Sequence, residues 1–225
     1  MTAAPYPPPA PRHRRPRTPA TNFLMSAIVT AFVLQVYTGA WEDPLLLRRW
    51  AINGDAVFGG GEYWRLLTAM FLHGNGTVQG TLLHLMLNLL ALFQLGKLYE
   101  AMFGTRRFLL VYFCTGLLAS LASALLNRGW SVGASGAIFG IVGAFIFSVR
   151  RSPRFRQERF ARSIVNQLVF WTVANLLIGF QIPQIDMSAH LGGLAAGLLL
   201  GAILPHPALP PPPPAQAVVD VSPRE

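Results

Sequence analysis

Residues 81–99 read TLLHLMLNLLALFQLGKLY. Up to Lys97 there is no acid, lysine or arginine, and Leu dominates the stretch. A bilayer span needs about 20 residues of this kind, within a range of roughly 17–25. The stretch therefore reads as a transmembrane helix. Five more stretches resemble it, at 22–39, 108–126, 133–149, 164–182 and 187–204. Composition agrees: of 225 residues, 52% are hydrophobic and 12% charged, whereas an average soluble domain carries roughly 25% charge. A single cysteine, Cys114, excludes a disulfide scaffold, and the composition excludes a disordered chain and a coiled coil. The expected fold is all-α, a polytopic membrane bundle with six transmembrane helices.

The six stretches define a membrane domain over 22–204. Residues 1–21, MTAAPYPPPAPRHRRPRTPAT, are rich in Pro and Arg and contain no apolar run. They lack the h-region of a signal peptide and read as a disordered basic tail. Residues 205–225 include PALPPPPPAQ and read as a second disordered, Pro-rich tail, either a plain linker or a polyproline segment that recruits a partner. The segment 40–80 differs. Trp41, Glu42, Asp43, Arg48, Arg49, Asp55, Glu62, Trp64 and Arg65, with Gly59-Gly60-Gly61, interrupt its apolar positions. That pattern suits an amphipathic loop at the membrane interface, and a loop of this length is usually functional.

The formal charge of +9 raises the question of nucleic acid. Its distribution answers it. Fourteen of the 18 basic residues fall in the two tails, between stretches two and three (Lys97, Arg106, Arg107) and between stretches four and five (Arg150, Arg151, Arg154, Arg156, Arg159, Arg162). Arg48, Arg49, Arg65 and Arg128 fall on the other side. The positive-inside rule then places both termini in the cytoplasm. The surplus follows topology and needs no nucleic acid; attraction to anionic lipid head groups is the simpler reading of the 150–162 loop. Arginine outnumbers lysine 17 to 1, which points to a GC-rich genome; with the compact six-span form, the expected location is a bacterial cell membrane, with an organelle membrane as the alternative.

Polar side chains inside hydrocarbon mark candidate functional positions. His84 and Asn88 are four apart and share a helix face. Ser135 lies between Gly133 and Gly136 in GWSVGASGAIFG, and His190 lies on the first turn of DMSAHLGGLAAGLLLG. With a cytoplasmic N-terminus, helices two, four and six all run from outside to inside. His84, Ser135 and His190 then share one outer depth. Singly, each has a plainer reading: a serine bonded to a carbonyl one turn back, a histidine or asparagine bridging two helices, or a GxxxG packing face at Gly193 and Gly197.

Together, GASGAIFG at 133–140, HLMLN at 84–88, AHLGGLAAG at 189–197 and EYWRLLTAMFLHG at 62–74 resemble the rhomboid family of intramembrane serine proteases. The order of the motifs agrees as well, and the likeness covers about 22–204. It implies a rhomboid-like bundle and a serine–histidine dyad, with Ser135 as nucleophile and His190 as general base. It also implies His84 and Asn88 as oxyanion-side donors. The chemistry is consistent: a serine hydroxyl needs an adjacent base, and imidazole titrates near neutrality. Gly133 and Gly136 would admit close backbone approach, and Gly193 and Gly197 would let helix six press on helix four. Phe139, one turn after Ser135, can stack on His190; the family often has tyrosine there. Trp64 and Arg65 fall on a loop-one motif and read as structural.

Other residues keep open readings. Asp186, four before His190, is either its orienter or a solvated loop residue. His73 reads as a structural loop residue, and His13 and His206 as inert tail residues. The fifth helix, SIVNQLVFWTVANLLIGF, would form a lateral gate with helix two. Phe170, Trp171 and Leu87 are then gate contacts or ordinary lipid-facing side chains. The implied partners are transmembrane protein substrates, cut near small or weakly helical residues, together with membrane lipid. No cofactor and no metal are expected: there is no HExxH for a metalloprotease. Two intramembrane aspartates for an aspartyl protease are also missing. A transporter would line a through-route with polar groups, whereas here they gather near one face. The rival reading is a non-catalytic rhomboid-like protein that binds transmembrane helices. Oligomeric state is not legible.

Overall fold

The structure, a computed structural model, describes residues 17–74, 76–153 and 157–205. Most of the basic tail and nearly all of the Pro-rich tail, with His13 and His206, lie outside the described residues. So do Arg154 and Arg156 of the basic loop. Four helices are long and apolar enough to cross a membrane. They are α1 (Pro19–Thr38), a unit over Val78–Phe103, α6 (Thr105–Leu126) and α8 (Arg159–Gly179). The second unit comprises α4 (Val78–Ala91) and α5 (Lys97–Phe103), joined by a π-helical turn at Leu92–Gly96. Two further apolar helices, α7 (Ser135–Arg151) and α9 (Met187–Ile203), have 17 residues each. At 1.5 Å per residue they reach about 25 Å, less than a typical hydrocarbon core of ~30 Å.

Local chemistry sets the ends. Pro19 opens α1, and Gly39, at φ 75°, closes it with its N–H on the Val36 carbonyl. The Thr77 hydroxyl accepts from the Gly80 N–H at the start of α4, and Asp186 accepts from the Ala189 N–H at the start of α9. At the opposite, basic end of the bundle, the buried Glu100 carboxylate accepts from the N–H groups of Ala20 (3.0 Å) and Thr21 (2.8 Å). It also accepts from the hydroxyls of Thr21 and Thr105, both at 2.7 Å. One carboxylate thus satisfies the start of α1 and joins it to α6. Beside it, Tyr99, Phe103, Phe108 and Phe145 form a buried aromatic cluster.

At the centre is α7, buried along most of its length and packed most extensively on α9, with α6 against both. Glycine makes this possible. A Cβ on Gly193 would stand 2.0 Å from the Gly136 carbonyl oxygen, and one on Gly197 2.0 Å from that of Gly140. Gly143 and Gly201 continue the stripe, facing Leu194 and Ala144 carbonyls at 2.5 and 2.8 Å. Lipid tails are as apolar as leucine, so helices in a bilayer associate through such close van der Waals fit. The exposed large apolar side chains lie mainly on α1, α4, α6 and α8, among them Phe23, Leu87, Phe170 and Trp171.

Loop one contains two short helices, α2 (Pro44–Arg48) and α3 (Arg65–Thr68). Arg65 is buried; it pairs with Glu62 and donates to the Ala51 carbonyl at 2.9 Å and to that of Arg48. Trp64 is half exposed. The loop then grips the segment before α7: Ile52 and Ser131 exchange N–H···O bonds of 2.8 and 3.0 Å, and the Ala69 carbonyl accepts from the Gly133 N–H at 2.9 Å.

Gly197→Val should therefore wedge α9 off α7. Overpacking of this kind typically costs about 1–3 kcal/mol, and here the obstacle is backbone. Gly59→Ala, at a position with nothing within 4 Å of the added methyl, should stay within about 0.5 kcal/mol. Thermal unfolding of the two variants in detergent separates them; equal Tm values would refute the glycine stripe as the determinant of packing.

Candidate active site

The chain enters α7 through Gly133, whose φ of +131° disfavours any side chain; a Cβ there would also stand 2.8 Å from His84 Nε2. Ser135 follows as the first helical residue. No side chain caps α7, and its first backbone bond runs from the Ile138 N–H to the Ala134 carbonyl at 3.1 Å. The N–H groups of Ser135, Gly136 and Ala137 thus head an uncapped helix, whereas α4 and α9 are both capped.

Opposite, the glycine stripe brings the first turn of α9 level with that of α7. His190 Nε2 lies 2.8 Å from Ser135 Oγ. The Phe139 ring stacks on the imidazole at 4.4 Å between centroids and 22° between planes. His190 Nδ1 is buried and has no hydrogen-bond partner among the described residues.

Asp186 is not a solvated loop residue, and it makes no hydrogen bond to His190 among the described residues. It accepts from the Ala189 N–H at 3.1 Å and from the Ser123 hydroxyl, so it is the N-cap of α9 and ties that helix to α6. Burial alone would raise its pKa. Hydrogen bonds from Ser123, Ser131, the Ala189 N–H and Asn127 outweigh burial and hold it below the usual carboxylate range.

His84 completes the cluster. Its Nδ1 is 3.3 Å from the Gly74 carbonyl. The Cβ position at Gly133 lies 2.8 Å from His84 Nε2 and 3.8 Å from Ser135 Oγ. Both side chains therefore border one small space in front of Gly133. A carbonyl only accepts, so Nδ1 carries a hydrogen; Nε2 is then an acceptor in the neutral ring and a donor in the imidazolium. Asn88 stays on its own helix, its amide nitrogen donating to the His84 carbonyl at 2.9 Å. The structure brings together Ser135, His190, Phe139, His84, Gly133, Gly136 and Gly193. Gly197 packs one turn deeper, and Trp64 and Arg65 belong to loop one. Phe170, Trp171 and Leu87 face outward, and α8 leans mainly on α7.

His73 is a loop residue, as expected from the sequence, and lies deeper than its polar neighbourhood suggests. Its side chain is fully buried, edge-on to His84 at 5.0 Å between centroids. Its backbone N–H and carbonyl both bond the Gln35 side chain of α1.

Fold and site together define an integral, multi-pass helical membrane protein with a serine and a histidine in hydrogen-bond contact where two short helices begin. The chain belongs to the rhomboid family, whose Rhomboid domain model matches residues 60–207; the family includes intramembrane serine proteases. It is 36% identical to rhomboid protease GluP of Bacillus subtilis (strain 168) over 185 residues, 82% of this chain and 34% of that protein. It is 35% identical to YdcA of the same organism over 188 residues, covering 80% of this chain and 89% of YdcA. RHOMBOID-like protein 1 of Arabidopsis thaliana is 38% identical over 170 residues, 72% of this chain and 41% of the plant protein. The chain thus spans well under half the length of two of these three relatives.

Burial, reinforced by the neighbouring His84, lowers the pKa of His73 from 6.5 to about 3. Between those values the unfolded ring binds a proton that the folded ring does not. The contribution of His73 to stability therefore falls as pH drops from 6.5 towards 3. His73→Phe should flatten the loss of Tm between about pH 7 and pH 4. An acid limb identical to that of the unmodified protein would contradict the buried, neutral His73.

Proposed function

We propose that this chain is an intramembrane serine endopeptidase that cuts transmembrane segments of other membrane proteins with a Ser135–His190 dyad. The observation that carries the proposal is the 2.8 Å contact between His190 Nε2 and Ser135 Oγ at the heads of two packed helices. In the first step Ser135 Oγ attacks the scissile carbonyl while His190 Nε2 takes its proton. The tetrahedral intermediate collapses, and His190 returns the proton to the leaving amine. Water then attacks the acyl-enzyme, with His190 again as base, and Ser135 is regenerated.

The developing oxyanion has two sources of support. One is the uncapped N-terminus of α7, with its free N–H groups and the positive end of its dipole. The other is the ring of His84, which borders the same space at Gly133. Loss of one such donor typically removes about 3–4 kcal/mol of transition-state stabilisation. Asn88 acts one step back, through its bond to the His84 carbonyl. Phe139 fixes the plane of His190, so no third acid is needed for orientation.

In this reading the domain 22–204 crosses the bilayer six times, with both termini and the tails in the cytoplasm of a bacterium. With their 17 residues, α7 and α9 would begin below the outer surface, at a depth that water must reach. A helical substrate enters between α4 and α8 and unwinds there, which favours Gly, Pro and small residues near the cut.

The test is cleavage of a single-span substrate by the full chain in lipid vesicles. Ser135→Ala and His190→Ala should each lose on the order of 10⁴-fold or more in kcat. Phe139→Leu should lose roughly tenfold in kcat at unchanged KM, through a looser imidazole. Undiminished cutting by Ser135→Ala would refute the mechanism. Failure of the unmodified protein on a broad substrate panel would favour a non-catalytic rhomboid that binds transmembrane helices.

A further inference from the structure

Gln35 is 4% exposed, although its neighbours Val33, Leu34, Val36 and Tyr37 on α1 all face outward. A primary amide turned into an apolar interior needs both of its polar atoms satisfied. Gln35 achieves this with one residue. Its Nε2 donates to the His73 carbonyl at 2.8 Å, and its Oε1 accepts from the His73 N–H at 3.0 Å. The side chain pairs with this backbone as a neighbouring strand would.

The pairing matters because of where the chain goes after His73. Leu72, His73 and Gly74 lie between α3 and α4 and are not in a helix. The Gly74 carbonyl in that segment meets His84 Nδ1 at 3.3 Å. Gly74 is itself confined, since a Cβ there would stand 2.4 Å from Leu47 Cδ2. The His73 ring also packs on His84 at 5.0 Å between centroids and 60° between planes. A continuous chain of contacts thus runs from Gln35 through the His73–Gly74 backbone to His84. It ends at Nε2, beside the space that Ser135 Oγ also borders.

We propose that Gln35 is a positioning residue for the active site, acting through His73 and Gly74 to set the ring of His84. The proposal rests on the role given to His84 in the protease reading. Two bonds to one residue fix the peptide planes on both sides of His73, and Gly74, confined against Leu47, carries that orientation on to its own carbonyl. A brace that only held α1 to loop one would not need to control that direction. Gln35 touches neither Ser135 nor His190, so the dyad itself is left intact when Gln35 changes.

Gln35→Met keeps the length and removes both amide partners. In the full chain, labelled with ¹⁵N-histidine and held in lipid nanodiscs, the His84 ring-nitrogen signals, assigned by their loss in His84→Ala, should shift. Those of His190 should not. In cleavage assays kcat should fall by about tenfold to a hundredfold at unchanged KM. In a His84→Ala background, Gln35→Met should cause little further loss. Unchanged His84 signals, or kcat losses that simply multiply, would overturn the proposal. If Gln35→Met does not fold, Gln35→Glu serves instead, keeping the acceptor for the His73 N–H and losing the donor to its carbonyl. If the unmodified chain cuts no substrate, the protease reading fails by itself, while the NMR comparison still decides whether Gln35 sets His84.

Discussion

Everything at the site depends on how closely two backbones can approach. The Gly136 and Gly140 carbonyls lie where the Cβ atoms of residues 193 and 197 would be. Any side chain at those two positions would move α9 outward by an ångström or more, and a hydrogen bond does not survive such a shift. The same stripe fixes level as well as distance. Ser135 is the first residue of α7 and His190 lies in the first turn of α9. Pairing Gly136 with Gly193 therefore sets the serine and the histidine side by side. In water a hydrophobic interface could drive the association loosely; in lipid only fit of this kind does.

Packing alone leaves the approach to α7 unset, and loop one supplies that constraint. The Ile52–Ser131 exchange and the bond from Gly133 to Ala69 hold the chain just before the serine. Arg65 in turn holds the loop, donating into two of its carbonyls from a buried position. Ser135 is thus located from two directions: from inside the bundle by glycine, and from the end of the bundle by a polar loop. Asp186 does the equivalent for the histidine helix, capping it and tying it to Ser123 of α6.

The helices were legible because hydropathy reports them directly. The stretches 22–39 and 187–204 agree with Pro19–Thr38 and Met187–Ile203 to within a few residues. The stretch 164–182 begins late because Arg159 and Arg162 belong to the first turns of α8 yet carry charge. The π turn at Leu92–Gly96 leaves no mark on hydropathy, since winding changes without a change in composition. Within the site, Ser135, His190 and His84 were legible as polar groups in apolar stretches, and the family resemblance linked them; Phe139 followed from its place one turn after Ser135. The cap at Asp186 was legible in principle, from an acid just before an apolar run. Gln35 was not, because a lone glutamine in an apolar helix carries no sign of its partner, which lies 38 residues away.

A serine in a membrane helix ordinarily has little to do. Thr115, Thr38 and Thr172 show the usual outcome for a hydroxyl here, each bonding the carbonyl four residues back, at 2.7, 2.8 and 2.6 Å. Asn88 does the same with its amide. Ser135 has no such turn behind it, because the helix starts with it. The carbonyl four residues earlier, at Ser131, is already held by the Ile52 N–H. Its hydroxyl must find a partner on another element, and across the glycine stripe the available one is an imidazole nitrogen. Placing a serine at a helix start, rather than within a helix, turns an inert hydroxyl into one that shares its proton with a base.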